Sequence, residues 1–184
     1  MLGALVLIVS QLVSAPIDGE ARQRELFGEA PPPFGLALES AVRLPTGDSL
    51  VRFTRAPEEG DASVPREVLF IRYQDRAAVA PLFRSEDGMG MGIGPRLAEW
   101  QKEKAFDWHT TMKGGEIAWG EWSTKLRIER SFRKGGGWSE EARVDLSSPE
   151  GALVLFAHWP DETPVDEDVL RKLLRALVLR PAAG

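Results

Sequence analysis

Hydrophobic and polar positions alternate with a period of two in several short stretches of the chain. In residues 50–55, the apolar side chains of Val51 and Phe53 alternate with polar ones, as in a half-buried strand. Residues 68–73 and 152–159 are apolar on both faces, which is typical of inner strands covered on both sides. Further strands are predicted at 36–44, 79–83, 117–122, 124–133 and 138–146.

Two other stretches have the period of a helix. Val165 and every fourth residue after it, as far as Leu177, are apolar. These positions form one stripe on an amphipathic C-terminal helix that should pack on a sheet. Thr163 is the predicted N-cap of this helix, because Pro164 suits the first helical position. A second helix is predicted at 95–106, again starting at a proline.

The order of these elements predicts the fold class. Glycine-rich or proline-rich turn signals lie at 114–115, 135–137 and 149–151 and separate successive strands. Sequential strands joined by short turns form an antiparallel meander. The expected fold is therefore an α+β fold in which an antiparallel β-sheet meander is packed by helices.

Composition narrows the classes of function. The chain has 184 residues, no cysteine and a formal net charge of −5. Disulfides, thiolate catalysis and cysteine-based zinc sites are thereby excluded. A mild acidic excess argues against a nucleic-acid partner, because such proteins usually carry a basic surface.

The N-terminus predicts an exported protein. Residues 1–9 are an apolar run of the length found in signal peptides, too short to span a bilayer. Small residues allow cleavage after Ala15 or after Ala21. We assign residues 1–21 to the signal peptide, 22–35 to a Pro-rich linker and 36–184 to a single α+β domain. The mature chain contains no other segment apolar enough for an integral membrane helix. The N-terminal segment predicts a periplasmic or extracellular location.

The glycine-rich loop at 88–94 does not match a known phosphate-binding motif. Its glycines alternate strictly, whereas a dinucleotide fingerprint needs G-x-G-x-x-G and a Walker loop needs Gly-Lys-Ser/Thr. A flexible turn is therefore the favoured interpretation, and no cofactor is expected.

The two histidines are the main candidates for catalysis. His109 follows Trp108, and His158 lies in an apolar strand on the face that Val154 and Phe156 share. The chain has no G-x-S-x-G elbow, and two histidines are few for a metal site. We therefore expect both to be structural, and we expect no metal.

Residues 124–146 predict a specific hairpin register. When both apolar faces point to the core, Phe132 lies opposite Trp138 and Ile128 opposite Ala142. The same register places Arg130 opposite Glu140, although both charges lie on the apolar face. The two should form a partly buried ion pair. The alternative is that Arg130 binds a ligand carboxylate or sulfate.

Six tryptophans are unusual for this length. Trp138 and Trp159 follow core faces. Trp119 and Trp122 are three positions apart and are predicted to lie on opposite faces of one strand, so one of them should face outward unless a helix covers it. Trp108 and His109 lie nearby in the sequence. An exposed aromatic patch could bind a ligand.

The export segment, the meander and a final helix that ends in LLRALVLRP together resemble the PsbP-like fold. The resemblance covers the C-terminal half and rests on pattern. It implies a sheet between helices and a non-catalytic role in a larger assembly, and it transfers no functional residue.

The sequence thus favours a non-enzymatic exported domain that binds a protein partner or stabilises an envelope assembly. One alternative is a glycan or small-ligand module that uses Trp119 or Trp122 with Trp108. Another is a hydrolase with a dispersed site around His109 or His158.

Overall fold

The computed structural model describes residues 15–56, 61–83, 106–133 and 136–179. The strands are β1 (Ala15–Pro16), β2 (Ala37–Arg43), β3 (Ser49–Thr54), β4 (Glu67–Tyr73), β5 (Phe106–Trp119), β6 (Trp122–Arg133), β7 (Trp138–Asp145) and β8 (Ala152–His158). The α-helices described are α1 (Gly19–Phe27) and α2 (Glu167–Ala176), and short 3-10 helices occur at Pro33–Gly35, Arg76–Ala78 and Ala80–Phe83.

All eight strands form one antiparallel sheet in the order β1-β2-β3-β4-β8-β7-β6-β5. The strands before β5 and those after β4 each run as a meander, and pairing between β4 and β8 joins the two halves. The prediction of an α+β fold with an antiparallel sheet is confirmed at this level. β4 and β8 lie at the centre of the sheet, as predicted from the apolar residues on both of their faces.

One face of the sheet, here called the core face, carries the main hydrophobic core. Helix α1 contributes Leu26 and Phe27, and α2 contributes four leucine and valine side chains that are buried against the same strands. The rings of Phe27, Phe53 and Phe70 meet edge to face, with centroids 5.4–5.9 Å apart. Such contacts add to the free energy gained by burying the rings.

The opposite face, here called the second face, has two regions. On β3, β4 and β8 it is apolar, and Val79 and Leu82 from residues 76–83 pack on it. On β6 and β7 it carries charged side chains instead. Residues 76–83 therefore form 3-10 turns that cover the sheet, and the strand predicted at 79–83 is wrong.

The hairpin after residue 106 also differs from the prediction. The chain reverses at Gly120 and Glu121, and Gly114 and Gly115 lie inside β5. Pairing with β6 keeps both glycines within the strand, and Gly115 has a φ of 150°, which favours glycine, so the turn predicted there is wrong. The predicted loop at 88–94 and residues 95–105 of the predicted helix lie outside the described residues.

The chain before β2 is folded onto the domain, which differs from the linker expected at 22–35. Asp18 caps α1 by accepting a hydrogen bond from the amide of Ala21 at 3.0 Å. Leu26 and Phe27 are buried, as is Leu36 after the proline tract. Burial of these three side chains is what holds the segment to the core face.

Helix α2 begins later than its sequence pattern predicts. The carboxylate of Asp166 accepts hydrogen bonds from the amides of Asp168 (2.8 Å) and Val169 (3.2 Å), so Asp166 is the N-cap. Thr163, the predicted cap, lies three residues earlier, where its amide closes a turn by donating to the carbonyl of Pro160 at 3.1 Å.

Candidate functional site

A chain of alternating charges crosses the second face, and we call it the charged ladder. On β6 and β7, Arg143 donates through Nε to Oε1 of Glu141 at 2.8 Å and through Nη2 to Glu129. Nε of Arg127 lies 2.7 Å from Oε1 of Glu129, and Nη2 of Arg127 donates to Oγ1 of Thr111 at 2.9 Å. These guanidinium groups are buried beside their carboxylates.

The ladder continues on the other half of the sheet. Arg52 on β3 lies between Glu39 on β2, at 3.1 Å, and Glu67 on β4. His158 on β8 is buried and lies in register with Glu67 on one side and Glu141 on the other. The histidine therefore occupies the position between the two halves of the ladder.

Burial governs the ionisation of the central pair. It raises the pKa of Glu141 above its usual range, and the nearby Arg143 cation offsets only part of this effect. Burial alone would lower the pKa of Arg143, but the carboxylates of Glu141 and Glu129 outweigh it and raise that pKa. The environment therefore favours the cationic form of Arg143 and disfavours the anionic form of Glu141.

Tyr73 lies near the ladder with its hydroxyl buried. Among the described residues this hydroxyl has no hydrogen-bond partner. Burial, reinforced by Asp48, raises the pKa of Tyr73 to about 12. The phenol is therefore neutral at physiological pH, and it can donate a hydrogen bond without ionising.

Each arginine of the charged ladder is paired with at least one of the ladder's carboxylates. In the described part of the chain, no group of three or more His, Cys, Asp or Glu side chains could hold a metal ion. A self-paired set of buried charges fits a structural role, because removing any one partner would leave the other uncompensated. The charged ladder was not predicted from the sequence.

The predicted pairing of Arg130 with Glu140 is confirmed. Phe132 lies opposite Trp138, Ile128 opposite Ala142, Leu126 opposite Val144 and Arg130 opposite Glu140. Nε and Nη2 of Arg130 donate to Oε1 of Glu140 at 3.0 and 2.7 Å. The second carboxylate oxygen of Glu140 accepts a bond from the amide of Val165 at 2.7 Å. Glu140 thereby ties the sheet to the segment that leads into α2.

The tryptophans lie in different environments. Trp119 and Trp122 belong to β5 and β6 and face each other across the hairpin, so the prediction that they lie on opposite faces of one strand is wrong. Trp119 is buried in the core and Trp122 is half-buried. Trp159 is fully buried and donates from Nε1 to the carbonyl of Ser63 at 2.9 Å.

A row of aromatic residues crosses the end of the core face. Trp138 is half-buried, and the guanidinium carbon of Arg130 lies 4.0 Å from the centroid of its ring. In the row, Phe132 is opposite Trp138, and the backbone of Trp108 is opposite Phe132. The side chains of Trp108 and His109 lie outside the described part of the structure.

The edge of the sheet at β5 is a further candidate. β5 has 14 residues and is the outermost strand of the sheet. In the described chain, it pairs with β6 on one side, and no strand pairs with its other side. Residues 111–116 are exposed, and Met112 has 47% of its surface accessible. The predicted turn at Gly114-Gly115 concealed this edge in the sequence.

Comparison with protein-family models, with curated proteins and with solved structures finds no match for the chain. None of the helices described is both long and apolar enough to cross a membrane. The case for a function therefore rests on the geometry of the edge, the aromatic row and the sheet faces.

Proposed function

We propose that the domain binds a partner protein by taking up an extended segment of that partner along β5. In this mode a peptide adds a strand to an exposed sheet edge, and backbone hydrogen bonds supply much of the affinity. The observation that carries the proposal is the length and exposure of β5 at the outside of the sheet.

The middle of β5 has a surface suited to an added strand. A Cβ atom placed on Gly114 or Gly115 would meet nothing within 4 Å, so large side chains of a partner have room there. Lys113 bonds Glu167 of α2, and Ser123 donates to Glu116 at 2.7 Å. These bonds hold the flanks of the strand in place, which lowers the entropy lost on binding.

The irregularities of β5 favour a short partner strand over unlimited self-association. The pairing with β6 shifts register between Phe106 and Trp108 and again between Thr111 and Lys113. Bulges and an edge lysine are devices that discourage edge-to-edge aggregation. Met112 lies within the second bulge and offers an exposed apolar contact beside the regular strand.

Export and an envelope location belong to the same proposal. The apolar run at 1–9 supports export, and the cysteine-free composition is compatible with an oxidising compartment. A partner would then be met outside the cytoplasm, as a subunit of an envelope assembly.

The test is a selection of peptides from a random library on the purified domain. Peptides that bind the wild-type domain should lose at least about tenfold in affinity for Met112→Glu, because a charge beside the edge disfavours an apolar partner. Val178→Glu is the matched control, since Val178 is also an exposed apolar residue, at 54%, and lies outside β5. Equal loss in both variants, or in neither, would contradict docking at β5.

A ligand-binding role is the second candidate, and the aromatic row supports it. Phe132 and Trp138 are adjacent half-buried rings, and Arg130 beside them provides a cation. The C–H face of a sugar ring can pack on such aromatic rings while a charged neighbour bonds the sugar's hydroxyl groups. Because Trp119 is buried, the row replaces the Trp119–Trp122 patch as the glycan candidate.

Tryptophan emission with acrylamide quenching tests this second role. If a soluble envelope glycan binds the row, it should protect a quenchable part of the emission, and Trp138→Phe should remove that part. Trp122→Phe is the control, because Trp122 lies at the other end of β6. Protection that survives Trp138→Phe would place the glycan elsewhere.

A further inference from the structure

We propose that the partner segment carries aromatic side chains at the positions opposite Gly114 and Gly115. This inference rests on the proposed docking at β5, and it names the chemistry of the segment that docks there. The two glycines are neighbours in the exposed middle of the outermost strand. Glycine inside a strand weakens it and often marks a place where a ligand or another backbone comes close.

Gly115 belongs to the core face of the sheet. The pairing of β5 with β6 is regular over residues 113–119, so successive residues of β5 alternate between the two faces. Gly115 therefore shares a face with Ile117, which is buried in the main core, and with Lys113, which bonds Glu167 of α2. An added strand would find a gap between these two side chains.

Gly114 belongs to the second face. It lies opposite Arg127 of the charged ladder and shares its face with Glu116, whose carboxylate accepts a hydrogen bond from Ser123. Each face of the edge thus has one position at which β5 offers no side chain to a neighbouring strand.

Aromatic side chains suit these two gaps best. A Cβ atom on either glycine would meet nothing within 4 Å among the described residues, so the space above the backbone is open. A large flat ring on the neighbouring strand can cover the bare glycine backbone, and aromatic residues are used in this way opposite edge glycines. On the core face, the ammonium group of Lys113 is near enough in register to contact such a ring.

The backbone itself accounts for glycine at one of the two positions. Gly115 has a φ of 150°, a conformation that favours glycine. The φ of Gly114 is not positive, and a larger side chain has room there. Nothing in the local geometry of β5 therefore requires glycine at position 114, which makes this position the informative one to change.

A valine at position 114 separates two modes of strand addition. Valine favours strands, so it should stabilise β5 and leave unchanged, or raise, the affinity for a partner that contributes backbone hydrogen bonds alone. If an aromatic ring of the partner packs over Gly114, the methyl groups of valine occupy the place of the ring and the affinity falls. The two modes predict effects of opposite sign.

The experiment is a double-mutant cycle on the full chain, measured by isothermal titration calorimetry. The probe is the tightest of the peptides selected on the domain whose binding Met112→Glu weakens, and each of its aromatic residues is replaced in turn by alanine. We expect Gly114→Val to bind the parent peptide about fivefold more weakly. For one of the alanine derivatives, the same substitution should change the affinity by less than about twofold. Gly114→Ala should give an intermediate loss.

Each outcome bears on one claim. Selected peptides that bind at β5 but lack aromatic residues, or whose affinity Gly114→Val leaves unchanged or raises, would overturn the aromatic assignment and leave strand addition intact. An equal loss for the parent peptide and all its alanine derivatives would also overturn it, because valine would then obstruct the edge itself. If Met112→Glu weakens none of the selected peptides, docking at β5 is contradicted, and this inference fails with it. If Gly114→Val fails to fold, judged by circular dichroism, Gly114→Ala takes its place with an expected loss of about twofold.

Discussion

Glu140 is a buried charged residue on the core face of the sheet. It is 4% exposed and bonds both Arg130 and the amide of Val165, so both of its oxygens are in use. Glutamine has one acceptor oxygen, and its amide group would face one of these donors. Because Arg130 keeps 25% of its surface exposed, the loss is below that of a fully buried pair.

We therefore expect Glu140→Gln to lower the free energy of unfolding by about 2 kcal/mol. Urea unfolding followed by circular dichroism measures it without relying on the emission of nearby Trp138. Glu150→Gln, in the exposed turn before β8, should change stability by less than about 0.5 kcal/mol. An unchanged midpoint for Glu140→Gln would mean that the pair contributes nothing.

Glu141 predicts a dependence of stability on pH. Its pKa in the folded protein is raised by burial above the ordinary value of 4.5, so the folded state holds the proton more tightly than the unfolded state. Its stabilising contribution is complete below pH 4.5 and is lost as pH rises through the folded pKa. The wild type should therefore gain stability relative to Glu141→Gln as the pH falls from 7 towards 4.5.

Urea titrations of both proteins at several pH values measure this difference. Glu116→Gln serves as the control, since Glu116 is exposed on β5 and outside the ladder. A raised pKa would be contradicted if the stability of the wild type relative to Glu141→Gln stays constant with pH or increases as the pH rises.

For single residues, the sequence predicts which side chains pair across two strands better than it predicts which charged side chains are buried. The pairing of Arg130 with Glu140 follows from two charges that interrupt apolar faces, because strand period and register fix which residues meet. Arg143 and Glu141 lie on the other face, where polar residues normally contact solvent. Nothing in their spacing distinguishes a buried ladder from a solvated one, since burial depends on the chain that covers the face.

Elements are predicted well where the pattern is local and poorly where distant pairing decides. The strands β2, β3, β4, β7 and β8 agree with their predicted ranges to within about two residues. β5 is different, because Gly114 and Gly115 are turn residues by propensity, and yet pairing with β6 holds them within the strand. The same pairing brings Trp119 and Trp122 onto one face.

The identity of the N-cap residue of α2 can be tested by substitution. Asp166 caps the helix with bonds to two amides, whereas the hydroxyl of Thr163 makes only a 3.4 Å contact with the carbonyl of Asp161. Asp166→Ala should cost about 1 kcal/mol of stability. Thr163→Ala should cost less than about 0.5 kcal/mol, and thermal unfolding compares the two. A larger loss of stability for Thr163→Ala than for Asp166→Ala would indicate that Thr163 is the N-cap, as the sequence predicts.

The whole molecule depends on one long-range contact between strands. β4 and β8 join the two meanders, and no residue in either strand identifies the other as its neighbour. The sequence predicts an antiparallel meander, but not the pairing of β4 with β8 or the position of β5 at the outside of the sheet. It is this arrangement that creates the exposed edge at β5.

Hydrogen exchange along β5, in the free domain and with a selected peptide bound, tests strand addition most directly. In the free domain, alternate amides of residues 111–117 should exchange fast, because only half of the amides of an edge strand bond the neighbouring strand. Bound peptide should slow these amides and leave those of β6 unchanged. Amides of β5 that are all protected in the free domain, or that do not respond to the peptide, would contradict docking at this edge.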